Sequence, residues 1–265
     1  MELQQSSIYA NYIAALKWQI IMADGCNMFY KKIPFMGGLL KIQRPKKLPH
    51  IPAIDVSTIA IEPAKNQNIA AYKKWVSTHE KKYRVVRSEY MATKTILIDL
   101  RPKEDEIFTR FSEAKRRAVR KAEKNGVIVR ESTNIKDLIQ IKNKSGGFLG
   151  FITTVGIDKF WSIMAPKYAT ILLARAPHLV GGVLLVFWKK TAFYWIAGAT
   201  KEGKKMFAPT LLVWEALKVA KKHGAKQFDF VGVWDERRHQ EHTEWQGFTR
   251  FKEGFGGKPL YYPIY

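Results

Sequence analysis

Basic residues crowd one short stretch of the chain, residues 113–124. The stretch has the alanine spacing of a helix and only two acidic residues, Glu113 and Glu123. Its basic residues are Lys115, Arg116, Arg117, Arg120, Lys121 and Lys124. A helix with this charge suits contacts to phosphate groups, which hold a nucleic acid without reading its sequence. A solvated helix with i,i+4 ion pairs explains the same pattern equally well.

Two other groups of residues have types that could do chemistry. His239 and His242 share an acidic loop, and an H-x-x-H pair among carboxylates has the ligand types of a metal site. No third ligand has motif spacing, so we interpret the segment as a polar loop and expect no bound metal. Cys26 lies in a short strand-like run without a neighbour that would activate its thiol, so we interpret it as a core residue.

The composition indicates a globular protein with a large excess of positive charge. The chain has 265 residues, 46% of them hydrophobic, and a formal net charge of +22. Such an excess draws polyanions, so nucleic acids, nucleotide-like substrates and the anionic membrane surface are the candidate partners. The single cysteine allows no intrachain disulfide. No signal peptide and no transmembrane segment are predicted, and we expect a cytoplasmic protein.

The order of the predicted elements describes an α/β fold in two parts. Before residue 92, short strand-like runs separated by glycines and prolines alternate with two helices. Beyond it, helices, an antiparallel meander, a helix and a buried strand follow one another, an order typical of acetyltransferase-like sheets. The main predicted elements of this part are strand 94–100, helices 104–112 and 113–125, strands 169–175, 179–189 and 191–197, helix 209–223 and strand 227–231.

Several segments together resemble Fem-type (FemABX) peptidoglycan aminoacyltransferases. They are Thr95–Leu100, Lys115–Arg117 with Arg120–Val127, Met206–Pro209, Phe228–Val233 and Gly247–Gly257. Their order and spacing agree over roughly residues 95–260, and residues 3–62 are similar more loosely. The resemblance implies two acetyltransferase-like (GNAT) domains of mixed sheets flanked by helices. The first, residues 1–92, is reduced, and the second, residues 93–265, includes the basic helical segment 104–125.

The function that the resemblance implies is transfer of an amino acid from aminoacyl-tRNA to the amino group of a peptidoglycan-precursor stem peptide. The family needs neither a metal nor acyl-CoA, so no cofactor is expected. Lys252 matches the family's catalytic lysine, and Phe251 beside it would pack and orient. On its own, Lys252 would be interpreted as a surface lysine at the end of a strand. Asp229 and Asp235 are open candidates for a base, which stays unassigned.

The acceptor site implied by the resemblance is where this chain departs most from the family. Glu62, Tyr194 and Trp195 are the acceptor-binding candidates, with Glu62 standing in place of an aspartate. Polar contact residues of the family are replaced at Val155, Lys159 and Ile196. Both a lipid-linked and a nucleotide-linked precursor therefore stay open as the acceptor.

The sequence of segment 200–206, which is predicted as a loop, distinguishes between two enzyme classes that share this fold. Acyl-CoA acetyltransferases carry a glycine-rich loop here, whose backbone amides hold the pyrophosphate. This chain has one glycine in the loop and the lysines Lys204 and Lys205, which we assign to tRNA phosphates. Two alternatives remain: an acyl-CoA-dependent N-acyltransferase, and a non-catalytic basic protein that binds tRNA or other RNA.

Overall fold

The computed structural model describes residues 2–86, 92–145 and 154–264. The chain folds into two compact units: unit 1 consists of residues 1–93 and 261–265, and unit 2 of residues 94–260. The sequence also predicts a strand over 83–88, of which residues 87 and 88 lie outside the described residues.

Unit 1 is built on a five-stranded mixed sheet in which the strands follow sequence order. Its strands are β1 Gln19–Ala23, β2 Cys26–Ile33, β3 Gly37–Gln43, β4 Thr58–Glu62 and β5 Arg84–Val86, and its helices are α1 Ser7–Ala15 and α2 Ile69–His79. The first three strands pair antiparallel, and β3, β4 and β5 pair parallel. Ser6 and Asn68 cap the two helices, because their side chains accept from the backbone amides of Tyr9 and Ala71.

Unit 2 contains a seven-stranded mixed sheet with the order β12–β6–β11–β10–β9–β8–β7. Its strands are β6 Lys94–Asp99, β7 Ile128–Ser132, β8 Ala169–Arg175, β9 Leu179–Trp188, β10 Thr191–Ala199, β11 Gln227–Asp229 and β12 Lys258–Tyr261. Its helices are α3 Glu104–Thr109, α4 Glu113–Lys124, α5 Ile135–Ser145, α6 Ile157–Met164, α7 Lys201–Lys205, α8 Ala208–Lys222 and α9 Gln246–Glu253. Two mixed sheets flanked by helices confirm the expected α/β class.

Strand β9 is buried on both faces, which explains its nearly uninterrupted apolar sequence. Two glycines allow helices to approach it closely. A Cβ on Gly181 would lie 2.9 Å from Leu212 of α8, and a Cβ on Gly182 would lie 3.0 Å from Leu138 of α5. Successive residues of a strand point to opposite faces, so the two helices cover opposite sides of the sheet.

Two segments differ from the sequence-based expectation because each forms a helix. Residues 201–205, predicted as a loop, are the short helix α7, which Thr200 caps through a hydrogen bond from Gly203 N (2.9 Å). Residues 246–253, which carry Lys252 and for which no helix was predicted, form α9. Phe248 and Phe251 lie three residues apart in this stretch, a helical spacing that the glycines around it obscured.

No helix in the part of the chain that the structure describes is long and apolar enough to cross a membrane.

Candidate functional site

The ammonium of Lys252 is bound by two backbone carbonyls just beyond β11. Its Nζ donates to Phe230 O (2.9 Å) and to Gly232 O (2.6 Å). An ammonium has three donors, so one N–H remains that no described residue accepts. Lys252 is half-buried on a helix, and these two hydrogen bonds hold its ammonium in position.

A left-handed residue brings the two carbonyls together. In extended backbone, carbonyls two residues apart are separated by about 6.6 Å. Here the oxygens of Phe230 and Gly232 lie 2.9 and 2.6 Å from the same nitrogen, so they are closer together than in extended backbone. Val231, between them, has φ +69°. This conformation is rare for a β-branched residue and is the kind of strain found at functional sites.

Burial lowers the pKa of Lys252 to about 8. The negative charge of Asp229 opposes this shift, and the positive charge of Lys142 adds to it. At neutral pH the side chain is still mostly protonated, but it loses its charge in mildly alkaline solution. The sequence reasoning missed Lys142, on α5. Burial also lowers its pKa, and the charge of Lys204 lowers it further.

Both carboxylates considered as a base are engaged in local structure. Asp229 accepts from Thr95 Oγ1 (2.5 Å) and from Val231 N (2.7 Å), and so supports the turn beneath Lys252. Asp235 forms an ion pair with Arg237 (2.6 Å). These contacts give each carboxylate a structural role, and the base stays unassigned.

Three aromatic side chains lie in a row that begins in the loop before α9 and ends beside Lys252. His242 stacks on Trp245 with 4.6 Å between ring centroids, and Trp245 lies 5.5 Å from Phe248. The Phe248 ring is 4.8 Å from Lys252 Nζ, and Phe248 is 38% exposed. We call these three residues the aromatic row. Sequence reasoning missed it, although Trp245, Phe248 and Lys252 have the spacing of one helix face.

The basic helix α4 divides into residues with internal contacts and residues that face solvent. Lys115 Nζ lies 3.8 Å from the centre of the Phe251 ring, and burial lowers its pKa to about 8. Arg116 donates to Thr109 O (3.0 Å) and to Phe111 O, where α3 ends. The exposed basic residues are Arg117, Arg120, Lys121 and Lys124.

The exposed part of α4 is charged almost throughout. The helix buries only a thin stripe, formed by Ala118, Val119 and Ala122. Arg117 forms an i,i+4 ion pair with Glu113 at 3.4 Å, between two well-exposed side chains. Such a pair contributes little to stability, so most of this charge is available to a polyanion.

The segment at α7 uses its backbone amides internally. Gly203 N donates to Thr200 Oγ1 (2.9 Å), and a Cβ on Gly203 would lie 2.3 Å from Val180 O. Met206 N and Phe207 N donate to Glu202 O and Lys204 O. Pro209, in the first turn of α8, has no N–H. These amides therefore do not form a pyrophosphate cradle, while Lys204 and Lys205 are exposed to solvent.

The acceptor candidate of unit 1 is a buried carboxylate. Glu62 ends β4 and accepts from Gln43 Nε2 (3.1 Å). The amide oxygen of Gln43 accepts in turn from the Tyr9 hydroxyl (3.4 Å). Glu62 thus belongs to a polar network inside unit 1.

The acceptor candidates of unit 2 differ in their exposure. Tyr194 lies in the core, with its ring 5.6 Å from that of Phe230, and burial raises the pKa of its hydroxyl. Trp195 is half-buried and stacks on Phe160 at 5.3 Å. A β-bulge between Tyr194 and Ile196 sets Trp195 apart from the regular ladder. Of the two, only Trp195 offers surface to a ligand.

The surroundings of Cys26 and His242 differ from those of a reactive or metal-binding residue. Burial raises the pKa of the Cys26 thiol to about 11, so the thiolate is scarce at neutral pH. His242 Nδ1 lies 3.4 Å from Glu244 Oε1, and its ring is stacked on Trp245. Among the described residues, no group of three or more His, Cys, Asp or Glu side chains could hold a metal ion.

Comparisons with known proteins find similarity in sequence over part of the chain and in fold over nearly all of it. The model of the FemAB family matches residues 174–260. A crystal structure of FemX superposes with a TM-score of 0.69 at 14% identity, covering 98% of this chain and 90% of that chain.

Two further structures share the fold at lower similarity. The C-terminal domain (DUF2156) of a putative lysylphosphatidylglycerol synthetase from Agrobacterium fabrum has a TM-score of 0.57 at 12% identity, covering 97% and 86% of the two chains. L-PGS from Bacillus licheniformis has a TM-score of 0.51 at 13% identity, covering 92% and 83%.

No curated protein sequence matches the chain significantly. The family match includes α8, β11, α9 and Lys252, but not the basic helix α4. The chain is thus similar to the FemAB family over residues 174–260, and it shares its fold with FemX over nearly its whole length.

Proposed function

We propose that this protein transfers an amino acid from aminoacyl-tRNA to the amino group of a peptidoglycan-precursor stem peptide. The observation that carries the proposal is the ammonium of Lys252, which two carbonyls fix while one N–H remains for a substrate. In this proposal residues 1–92 and 93–265 are two acetyltransferase-like domains, and the residues that bind the donor belong to the second.

The reaction requires stabilisation of a negative charge that develops on one oxygen. The acceptor amine attacks the ester carbonyl, a C–N bond forms, and the carbonyl oxygen becomes an oxyanion. The C–O bond to the ribose then breaks, and the ribose hydroxyl takes up a proton while the amine loses one. The remaining N–H of Lys252 donates to the oxyanion, and Phe251 holds the helix of Lys252 against Lys115. A preorganised charge of this kind is usually the largest single contribution to such catalysis.

The donor would be held by charge and by stacking. Arg117, Arg120, Lys121 and Lys124 of α4, with Lys204 and Lys205 of α7, contact tRNA phosphates. Lys115 and Arg116 support this surface from inside, through Phe251 and the end of α3. The aromatic row supplies π-faces for the unpaired bases at the 3′ end of tRNA, and stacking of this kind tolerates any base.

The acceptor would be a lipid-linked or nucleotide-linked precursor recognised through Glu62, Tyr194 and Trp195. Because Glu62 belongs to a polar network and Tyr194 to the core, we expect Trp195 to supply direct contact. Tyr194 would then act by positioning the strand that presents it. The substitutions at Val155, Lys159 and Ile196 leave the choice between the two precursors to experiment.

A product assay tests the proposal. The protein is incubated with a mixture of charged tRNAs and both precursor forms, and the products are analysed by mass spectrometry. The expected result is one acceptor that gains the mass of an aminoacyl residue, only with charged tRNA and not with Lys252→Met.

Two results would replace this function with a competing one. Transfer from an acyl-CoA in the absence of tRNA would assign the protein to the N-acyltransferases. Binding of tRNA that ignores the aminoacyl group, without transfer to either precursor, would identify a non-catalytic RNA-binding protein.

A further inference from the structure

The turn between β2 and β3 presents apolar side chains to solvent. Phe35 is fully exposed and Met36 is 67% exposed, and Pro34 beside them is also exposed. In the described part of the chain no residue covers this tip. Adjacent large apolar side chains at a surface mark a site that a partner or a membrane covers.

The tip is held by specific contacts. Phe35 has φ +64°, an unusual backbone conformation for an aromatic residue. Ser57 Oγ donates to Met36 O (2.8 Å). A Cβ on Gly38 would lie 1.9 Å from Asp55 O, so the segment before β4 packs directly against the base of the turn. The fold therefore holds Phe35 outward in a strained conformation.

Lysines surround the base of the same hairpin. Lys31 and Lys32 lie at the end of β2, where they pair with Leu39 and Gly38 beside the turn. The ammonium groups of Lys41 and Lys31 lie 4.9 and 5.5 Å from the centre of the Trp18 ring. Asp55 offsets part of this charge through an ion pair with Lys32 (3.4 Å). The sheet end thus combines an apolar apex with a basic rim and a half-buried tryptophan.

We propose that residues 34–36 form a membrane-docking tip for an anionic bilayer. Phe35 and Met36 enter the boundary between headgroups and acyl chains, while Lys31 and Lys32 contact lipid phosphates. The layered order of apolar apex and basic rim matches the layers of a bilayer surface, where tryptophan is also enriched. A nucleic acid offers phosphates to the lysines but no apolar layer to Met36. The proposal stands independently of the proposed function.

Vesicle flotation tests the tip with the full chain. Vesicles of phosphatidylcholine with phosphatidylglycerol are compared with vesicles of phosphatidylcholine alone. We expect the protein to float with the anionic vesicles. The double variant Phe35→Ser/Met36→Ser should reduce partitioning about tenfold or more, because both side chains lose their apolar burial. Lys31→Gln/Lys32→Gln should reduce partitioning to anionic vesicles by about tenfold.

A matched control is available at the other end of the same sheet. Met22 of β1 is 73% exposed beside the β1–β2 turn, so Met22→Ser removes an equally exposed methionine without touching the tip. We expect this variant to float like the unaltered protein. Circular dichroism verifies that each variant is folded.

Three results would overturn the proposal. They are failure of the unaltered protein to bind anionic vesicles, equal binding by the Phe35→Ser/Met36→Ser variant, and equal loss with Met22→Ser. A dimer that disappears in this double variant, without vesicle binding, would assign the tip to a second copy of the chain. Transfer to a water-soluble acceptor, measured in parallel, reports on the proposed function and leaves the flotation result unaffected.

Discussion

The ammonium of Lys115 lies 3.8 Å from the centre of the Phe251 ring, one residue before Lys252. Helix α4 and helix α9 thus meet at a cation–π contact. Close packing maintains it, because a Cβ on Gly254 would lie 2.8 Å from Lys115 Cε. The basic helix therefore supports the helix of the candidate catalytic lysine in addition to offering charge to a partner.

Replacing Lys252 tests its catalytic role. Lys252→Met keeps most of the stem and removes the charge, and we expect single-turnover transfer to fall on the order of a hundredfold or more. Lys252→Arg should recover only part of the rate, because a planar guanidinium does not place its donors where an ammonium does. Affinity for tRNA, measured in parallel, should change little. An equal fall in rate and affinity would make Lys252 a binding residue instead.

The pKa of about 8 at Lys252 predicts how transfer depends on pH. The ammonium is lost as pH rises through that value, so a rate that needs the cation falls above about pH 8. Lys252→Met should lack this falling limb. Lys115→Met is the matched control, since burial also lowers the pKa of Lys115 to about 8. It should keep the limb. A rate that climbs steadily beyond pH 9 would indicate the neutral amine acting as a base.

The exposed residues of α4 should determine the salt dependence of tRNA binding. Replacing Arg117, Arg120 and Lys121 with alanine removes three exposed charges, and the slope of log K against log salt should fall by about two to three. The triple variant Lys73→Ala/Lys74→Ala/Lys81→Ala removes the same charge from exposed positions in unit 1 and should leave the slope unchanged. If both triple variants lower the slope equally, α4 contributes to tRNA binding only through the net charge of the protein.

The aromatic row should distinguish intact tRNA from tRNA without its unpaired 3′ nucleotides. Trp245→Leu and Phe248→Leu remove stacking surface worth about 1–3 kcal/mol per base. We expect each of these variants to bind intact tRNA more weakly, and to show a smaller difference in affinity between intact and truncated tRNA. Phe35→Leu alters an exposed phenylalanine of unit 1 and serves as the control. If both Trp245→Leu and Phe248→Leu prefer intact tRNA over truncated tRNA as strongly as the unaltered protein does, the aromatic row does not stack on the 3′ nucleotides.

Calorimetry with acetyl-CoA and longer acyl-CoAs tests the segment at α7. We expect no saturable binding, because Gly203 N is engaged by Thr200 and Gly203 lies against the Val180 carbonyl. A micromolar site would favour the N-acyltransferase alternative. Competition by tRNA would then show whether Lys204 and Lys205 contribute to that site.

Periodicity predicted the strands and long helices well, because continuous apolar runs such as β9 and the alanine stripe of α4 are local signals. It failed at α7 and α9, where glycines and charged residues dilute the pattern. The carbonyl contacts of Lys252 depend on a left-handed conformation at Val231, which no local pattern indicates. The inward turn of Lys115 and Arg116 depends on α9 and on the end of α3, so it is a tertiary effect.

The backbone at Val231 has a consequence for how this protein could be made more robust. A left-handed valine costs about 1–3 kcal/mol, which glycine at this position would largely avoid. Glycine would also let the turn relax and release the ammonium from its two carbonyls. We therefore expect variants selected at position 231 for thermal stability to have a lower turnover rate, because the same backbone strain holds the ammonium in place.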